Sequence, residues 1–225
     1  MRIGLRRFPS TTVAVLAVTA LTNLFQFVVP GMLQHLQRTP AGLHGDWWRT
    51  VTALFVQDGG VFGTLSNLAF LALIGALAEQ VLRPPAWLAC YLGAGLLAEL
   101  VAYAWQPYGG GNSIAVCGLA GALIVALWRD LPLPHITAMS VVLWCGVLLA
   151  TIWWPLVFLG VIAAALSQHV LTGRHAAVLA VAAAVALAAL RNIHGAALLV
   201  GLMLGAFSLY AQLQRRQGGR TRAVQ

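Results

Sequence analysis

A serine and a histidine each open a long apolar stretch of this chain. Ser113 follows the sequence Gly-Gly-Gly-Asn at 109–112 and precedes the apolar run 114–127, and His194 precedes the run 195–209. A hydroxyl and an imidazole at equivalent depths of two membrane helices are the minimum equipment for nucleophilic hydrolysis inside a bilayer, because the imidazole can accept the hydroxyl proton. The pair predicts a serine nucleophile with a histidine base.

Small residues lie on the helical faces that the serine and the histidine begin. Cys117 and Gly121 follow the serine at helical spacing, and Gly201 and Gly205 follow the histidine as a Gly-x-x-x-Gly pair. Small faces allow two helix backbones to approach closely, so we expect the two helices to pack together and to bring the hydroxyl to the imidazole. A separation of the hydroxyl oxygen and the nearest ring nitrogen beyond about 5 Å would count against a catalytic pair.

The composition is that of a membrane protein with several spans. Of 225 residues, 60% are hydrophobic and 8% are charged, whereas soluble domains carry about 25% charged residues. The net charge of +8 does not indicate a nucleic-acid partner, because the arginines are scattered between apolar runs, where they act as topology determinants and contacts for anionic lipids. The three cysteines lie singly in apolar runs without a metal-binding pattern, and we expect no metal and no cofactor.

Eight apolar segments predict an all-α, polytopic transmembrane helical bundle. They are roughly 11–30, 61–80, 86–105, 113–129, 136–153, 155–171, 176–190 and 194–213. The sixth and seventh are short, so a re-entrant hairpin in a six-span protein is the alternative. With eight spans and a cytoplasmic N-terminus, all of the 13 basic residues except Arg38, Arg49 and Arg191 face the inside. This bias predicts that both termini are cytoplasmic and that the serine and the histidine lie at the outer ends of their helices.

The remaining polar segments complete the domain organisation. Residues 1–213 are predicted to form one multi-pass transmembrane domain in a bacterial plasma membrane. Within it, residues 31–60 are too polar to cross, and Trp47, Trp48 and Arg49 suit a loop that lies at the membrane interface, although they could be an ordinary aromatic anchor. Residues 214–225 are predicted to be a basic, disordered cytoplasmic tail.

Two polar side chains inside the predicted spans require partners. Asn67 carries donors and an acceptor that lipid cannot satisfy, so it either links helices or belongs to a site. Glu99 lies in the middle of the third segment and must be protonated, paired or facing a wet cavity. We favour a structural hydrogen bond over a transport role, because no relay of further acids accompanies it.

From Gly45 to Phe207 the chain resembles the rhomboid family of intramembrane serine proteases. The matching residues are Trp48 and Arg49 in the first loop, Asn67 and Glu79 in the second span, Gly111, Ser113, Gly118 and Gly121 in the nucleophile helix, and His194, Gly201 and Gly205 in the base-bearing helix. The resemblance implies a rhomboid-like fold.

The same resemblance implies roles for individual residues. Ser113 would be the nucleophile and His194 the general base, in a dyad that needs no carboxylate. Asn67 would bind the oxyanion together with the Ser113 backbone N–H, and the Asn112 side chain is a further candidate donor.

The chain departs from the family pattern at two positions. The histidine that usually precedes the motif asparagine by four residues is Gly63, and the glycine that follows the serine is Ile114. Loss of one oxyanion donor typically lowers the rate by about 10²–10³-fold. These departures favour a divergent branch of the family.

Three hypotheses about function follow. The leading one is an intramembrane serine endopeptidase that cleaves transmembrane-segment substrates near the outer face, with membrane lipids as its other partners. The alternative is a catalytically weak or inactive rhomboid-like protein that binds transmembrane helices as a chaperone or adaptor, as Gly63 and Ile114 favour. A small transporter or lipid-handling protein would use Glu99 and Asn67 but would leave the Ser-His pair unexplained.

Overall fold

The computed structural model describes residues 7–169 and 171–222, with side chains described for all but 169, 213 and 215–222 of these. Its α-helices are, in chain order, α1 (Ser10–Val28), α2 (Met32–Leu36), α3 (Arg49–Thr52), α4 (Gly60–Ala78), α5 (Pro84–Leu88), α6 (Ala94–Trp105), α7 (Ser113–Trp128), α8 (Thr137–Ala150), α9 (Leu156–His169), α10 (Gly173–Ala189) and α11 (Ile193–Arg222). A 3₁₀ turn covers Pro40–Leu43, and a π-helical segment, Ala89–Gly93, joins α5 to α6. The described residues form no strand, and the predicted all-α helical bundle is confirmed.

Each of the eight predicted apolar segments corresponds to a helix. Among the described residues, four helical stretches are long and apolar enough to cross a membrane, namely α1, α4, the continuous helical stretch Pro84–Trp105 and the Ile193–Gln212 part of α11. The apolar helices α7, α8, α9 and α10 are shorter, with 16, 14, 14 and 17 residues. The sixth and seventh segments form the separate helices α9 and α10.

The last helix extends beyond its apolar part. Its backbone is helical through Arg222, whereas the sequence predicts a disordered tail from residue 214 onward. Residues 223–225 of that predicted tail lie outside the described residues.

The central helix of the bundle is α7. Every residue from Ile114 to Leu127 is buried except Val125, and α7 contacts α4, α6, α8, α10 and α11. A helix that is apolar on all sides is covered either by lipid or by other parts of the protein, and here the neighbouring helices cover it. The first turn of α7 is therefore held from several directions, which fixes the position of the residue that begins it.

Glycines allow α7 and α11 to touch through their backbones. A Cβ atom built on Gly121 would lie 2.5 Å from the carbonyl carbon of Gly201, and one built on Gly201 would lie 2.6 Å from the carbonyl oxygen of Gly118. One turn further along, a Cβ on Gly205 would lie 2.5 Å from Ala122 Cα. Real Cβ atoms essentially never make contacts below 3.0 Å, so these positions hold glycine for steric reasons.

The carboxylate of Glu79, at the end of α4, caps the beginning of α1. Its two oxygens accept hydrogen bonds of 2.9 Å from the backbone N–H groups of Thr11 and Thr12, and the Thr12 hydroxyl donates a third bond of 2.9 Å. Burial alone raises the pKa of the Glu79 carboxyl, but the hydrogen bonds from Thr12 and Thr11 outweigh it, so the pKa lies below its usual value. The cap ties the two helices together at the end opposite Ser113.

Candidate active site

Ser113 and His194 face each other where α7 and α11 begin. Ser113 is the first residue of α7, and His194 is the second residue of α11. The Ser113 Oγ lies 2.9 Å from the His194 Nε2, which is a hydrogen-bond distance. This separation is well below the distance of about 5 Å beyond which it would count against a catalytic pair.

The histidine ring is oriented by Asn192. The Asn192 Oδ1 lies 2.8 Å from His194 Nδ1 and also accepts a hydrogen bond of 3.0 Å from the His194 backbone N–H. Because an amide oxygen only accepts, Nδ1 carries the proton of the neutral ring. Nε2 is then free to accept the proton of the Ser113 hydroxyl. Asn192 itself donates to Thr151 Oγ1 at 3.1 Å.

The glycine segment before Ser113 is hydrogen-bonded to residues 31–60, the segment that the sequence predicts to lie at the membrane interface and that we call the interfacial loop. Arg38 and Gly109 exchange two backbone hydrogen bonds, of 2.8 and 3.2 Å, which form an isolated β-bridge. The Asp58 N–H donates to the Gly110 carbonyl at 3.0 Å, and the Gly111 N–H donates to the Ala53 carbonyl at 2.8 Å. These bonds position the turn that leads into α7.

Gly109 is required at its position for two reasons. Its φ of 145° lies in a region that favours glycine. In addition, a Cβ there would lie 3.0 Å from Arg38 Nη2 and 3.1 Å from Asp58 Oδ2.

Asn67 lies in the same site, and its hydrogen-bond partner is Gln57. The Asn67 Nδ2 donates to the Gln57 Oε1 at 2.7 Å. Both side chains line the cavity that also exposes Ser113 and His194. The sequence assigns no role to Gln57, because its closeness to Asn67 depends on how the interfacial loop folds back onto α4.

The candidate donor Asn112 is placed differently. Its side chain is 3% exposed and lies beside the Tyr91 hydroxyl. It does not line the cavity, and this placement does not support its assignment as an oxyanion donor. The two departures from the family pattern do border the site, since Ile114 lines the cavity and the Gly63 position faces Gln57.

A buried ion pair forms another wall of the cavity. Glu99, which is fully buried in α6, pairs with Arg38, whose side chain is 3% exposed. Arg38 also donates to the backbone carbonyls of Gln106 at 3.0 Å and Tyr108 at 3.3 Å. The sequence allows Glu99 to be protonated, paired or facing a wet cavity. In the structure Glu99 is paired, and its side chain also borders the cavity. Arg38, which the sequence presents only as an outward-facing charge, is the partner that was not foreseen.

The tryptophan and arginine of the first loop organise the loop itself. The Arg49 Nε donates to Asp46 Oδ2 at 2.9 Å, and its Nη1 donates to the carbonyls of Gln34 and Gln37 at 2.8 and 3.1 Å. Trp48 is half-buried at the start of α3. Arg49 thereby joins α3 to the chain that precedes it, which includes the residues next to Arg38.

The cavity over Ser113 has a volume of about 320 Å³ and two kinds of wall. Its polar wall includes Gln57, Asn67, Glu99 and Arg38, and its apolar wall includes Ile114, Trp144, Val147 and Leu148. A serine hydroxyl bonded to a histidine, with amide donors beside it, is an arrangement suited to acyl transfer. In the described part of the chain, no three His, Cys, Asp or Glu side chains cluster as metal ligands would.

Comparison with known proteins agrees with this architecture. The Rhomboid domain model matches residues 44–215, which is more than half of the chain. No curated protein and no solved structure matches the chain. The matched range begins within residues 31–60 and includes both α7, which begins with Ser113, and the part of α11 that carries His194. It shows that this integral membrane protein belongs to the rhomboid family.

Proposed function

We propose that this rhomboid-family protein is a serine endopeptidase that cleaves transmembrane segments of other proteins near the outer face of the membrane. Ser113 is its nucleophile and His194 its general base. The observation that carries the proposal is the 2.9 Å hydrogen bond between Ser113 Oγ and His194 Nε2, both of which line a cavity of about 320 Å³.

The reaction proceeds in two halves. His194 Nε2 accepts the Ser113 proton while Oγ attacks the scissile carbonyl carbon, and the imidazolium then protonates the leaving amine nitrogen as the C–N bond breaks. Water next attacks the acyl ester, with His194 first taking its proton and then returning it to Ser113 Oγ. The Asn192 Oδ1 keeps the Nδ1 proton in place throughout, which holds the ring in one orientation.

The oxyanion of each tetrahedral intermediate is bound at the beginning of α7. The first N–H groups of a helix have no intrahelical acceptor, and the helix dipole places positive charge at the same end. The Ser113 N–H is one of these groups, and the Asn67 amide supplies a second donor from α4.

A non-catalytic protein that binds transmembrane helices is the second candidate. Gly63 supplies no side-chain donor, and the bulky Ile114 side chain lies in the cavity wall next to the nucleophile. A protein of this kind would retain the cavity and bind a transmembrane segment without cutting it.

Covalent labelling separates the two candidates. The purified protein in lipid vesicles is treated with a fluorophosphonate probe and, separately, with a model transmembrane substrate. Ser113→Ala should abolish both labelling and cleavage, whereas the matched change Ser66→Ala, one residue from Asn67, should leave both intact. Equal labelling of wild type and Ser113→Ala, with no cleavage by either, would overturn the protease and favour the binding protein.

A further inference from the structure

Gln57 fills the space that a side chain at position 63 would otherwise occupy. A Cβ built on Gly63 lies 3.0 Å from Gln57 Nε2, 3.8 Å from its Cδ and 3.9 Å from its Cγ. The Gln57 amide therefore lies directly against this turn of α4, and only 7% of the residue is exposed.

The same side chain reaches toward the nucleophile. A Cβ built on Gly111 would lie 2.7 Å from Gln57 Oε1, 3.5 Å from Asn67 Nδ2 and 3.5 Å from Ser113 Oγ. The side chains of Gln57 and Asn67 thus converge with that of Ser113 on one point. No other residue of the polar cavity wall approaches this point as closely.

The contact between the two amides has a definite direction. The Asn67 Nδ2 donates one of its N–H groups to Gln57 Oε1 at 2.7 Å. An amide nitrogen carries two N–H groups, so this bond leaves the second one available to an acceptor that forms next to Ser113. Without the bond, the terminal amide of Asn67 could turn and present its oxygen, which would repel an oxyanion.

Gln57 is itself held in place by a third amide side chain. The backbone N–H of Gln57 donates to Gln26 Oε1 at 2.8 Å, and Gln26 Nε2 donates to the Gln57 carbonyl at 2.6 Å. Gln26 belongs to α1. A chain of contacts therefore runs from α1 through the interfacial loop to the donor on α4.

We propose that Gln57 is a positioning residue of the oxyanion site. Its side-chain oxygen Oε1 holds the Asn67 amide with Nδ2 toward the nascent oxyanion. This role rests on the proposed proteolytic function. It places part of the oxyanion machinery in the interfacial loop. Preorganised donors of this kind stabilise the transition state more than the bound substrate.

A double-mutant cycle tests the proposal. The variants are Gln57→Leu, which keeps the size of the side chain but removes the acceptor, Asn67→Ala, and their combination, with Gln168→Leu as a glutamine control on the opposite side of the protein. We expect Gln57→Leu to lower kcat about tenfold with little change in KM, and Asn67→Ala to lower it about 10²–10³-fold. Since Gln57 acts through Asn67, the double variant should be no slower than Asn67→Ala alone.

Each outcome of this cycle is decisive. Losses that multiply in the double variant, or a Gln57→Leu protein as fast as wild type, would overturn the positioning role while leaving the protease in place. If Gln57→Leu does not fold, as judged by its thermal unfolding, Gln57→Asn replaces it, because the shorter amide cannot reach Asn67. A wild-type protein that neither cleaves substrate nor reacts with a fluorophosphonate would overturn the proposed function, and this role with it.

Discussion

The change Gly201→Ala tests whether the α7–α11 crossing sets the geometry of the catalytic pair. It adds one methyl group at the point where the two backbones are in contact. The new Cβ would lie 2.6 Å from the carbonyl oxygen of Gly118 and 2.7 Å from its Cα. Neither atom can move without moving α7, because both belong to the helix backbone.

The size of the effect follows from these distances. The contact of 2.6 Å is about 0.8 Å shorter than the 3.4 Å at which ordinary van der Waals contact begins. If α11 is displaced by most of this amount, the separation of Ser113 Oγ and His194 Nε2 grows from 2.9 Å to about 3.5 Å, which is outside the hydrogen-bond range. Loss of general-base assistance lowers the rate about 10²–10⁴-fold, and overpacking destabilises the protein by about 1–3 kcal/mol.

The assay measures substrate cleavage and the rate of fluorophosphonate labelling, together with thermal unfolding in detergent. Gly173→Ala is the matched control, because a Cβ there meets its nearest neighbour at an ordinary 3.4 Å. We expect Gly201→Ala to lose labelling while it still unfolds cooperatively. Full cleavage activity in Gly201→Ala would refute the idea that backbone contact between the two helices sets the dyad distance.

Three further predictions concern charges and hydrogen bonds outside that crossing. Burial opposes ionisation of Glu79, but its hydrogen bonds to the start of α1 hold its pKa below the usual 4.5. The stabilising effect of the ionised carboxylate is therefore complete above pH 4.5 and is lost as the pH falls through the lower pKa of the folded protein. Thermal unfolding should show that wild type loses more stability than Glu79→Gln on acidification below pH 4.5, and equal losses would contradict this. Arg38→Met should destabilise the protein by about 3–5 kcal/mol, because it leaves Glu99 buried without a partner. Adding Glu99→Gln should restore most of the lost stability. Additive effects on thermal unfolding in the double variant would show that the two residues are not coupled. Asn192→Ala should lower kcat about tenfold, the equivalent of about 1.4 kcal/mol, because His194 loses the acceptor that fixes its protonated nitrogen; an unchanged kcat would mean that other contacts orient the ring.

The helical architecture could be predicted from the sequence because each apolar run carries its own signal. The spacing of small residues after Ser113 and His194 also predicts the close approach of the helices that bear them, since small faces allow two helix backbones to come into contact. For Glu99, the mere presence of a carboxylate within a span restricts it to a few states, one of which is the ion pair.

The rest of the site could not be predicted, because it depends on contacts between distant polar residues in irregular segments. Arg38 and Glu99 are 61 residues apart, and Gln57 and Gln26 are 31 residues apart. Nothing in the local sequence distinguishes Gln57 from any other polar loop residue. Its position follows only from the way the interfacial loop passes over α4 and the glycine turn before Ser113.

The short helices on one side of the bundle have a consequence for the surrounding lipid. The 14 residues of α8 extend only about 21 Å, and α9, which packs against it, has the same number, whereas the hydrocarbon core of a bilayer is about 30 Å thick. A bilayer can accommodate such a hydrophobic mismatch by becoming thinner beside the short helices. A transmembrane segment that approaches from this side would lose its lipid cover near one end, and water could then satisfy the backbone groups that unwinding exposes. We therefore expect the rate of cleavage to depend on bilayer thickness and to be higher in short-chain than in long-chain phospholipid vesicles.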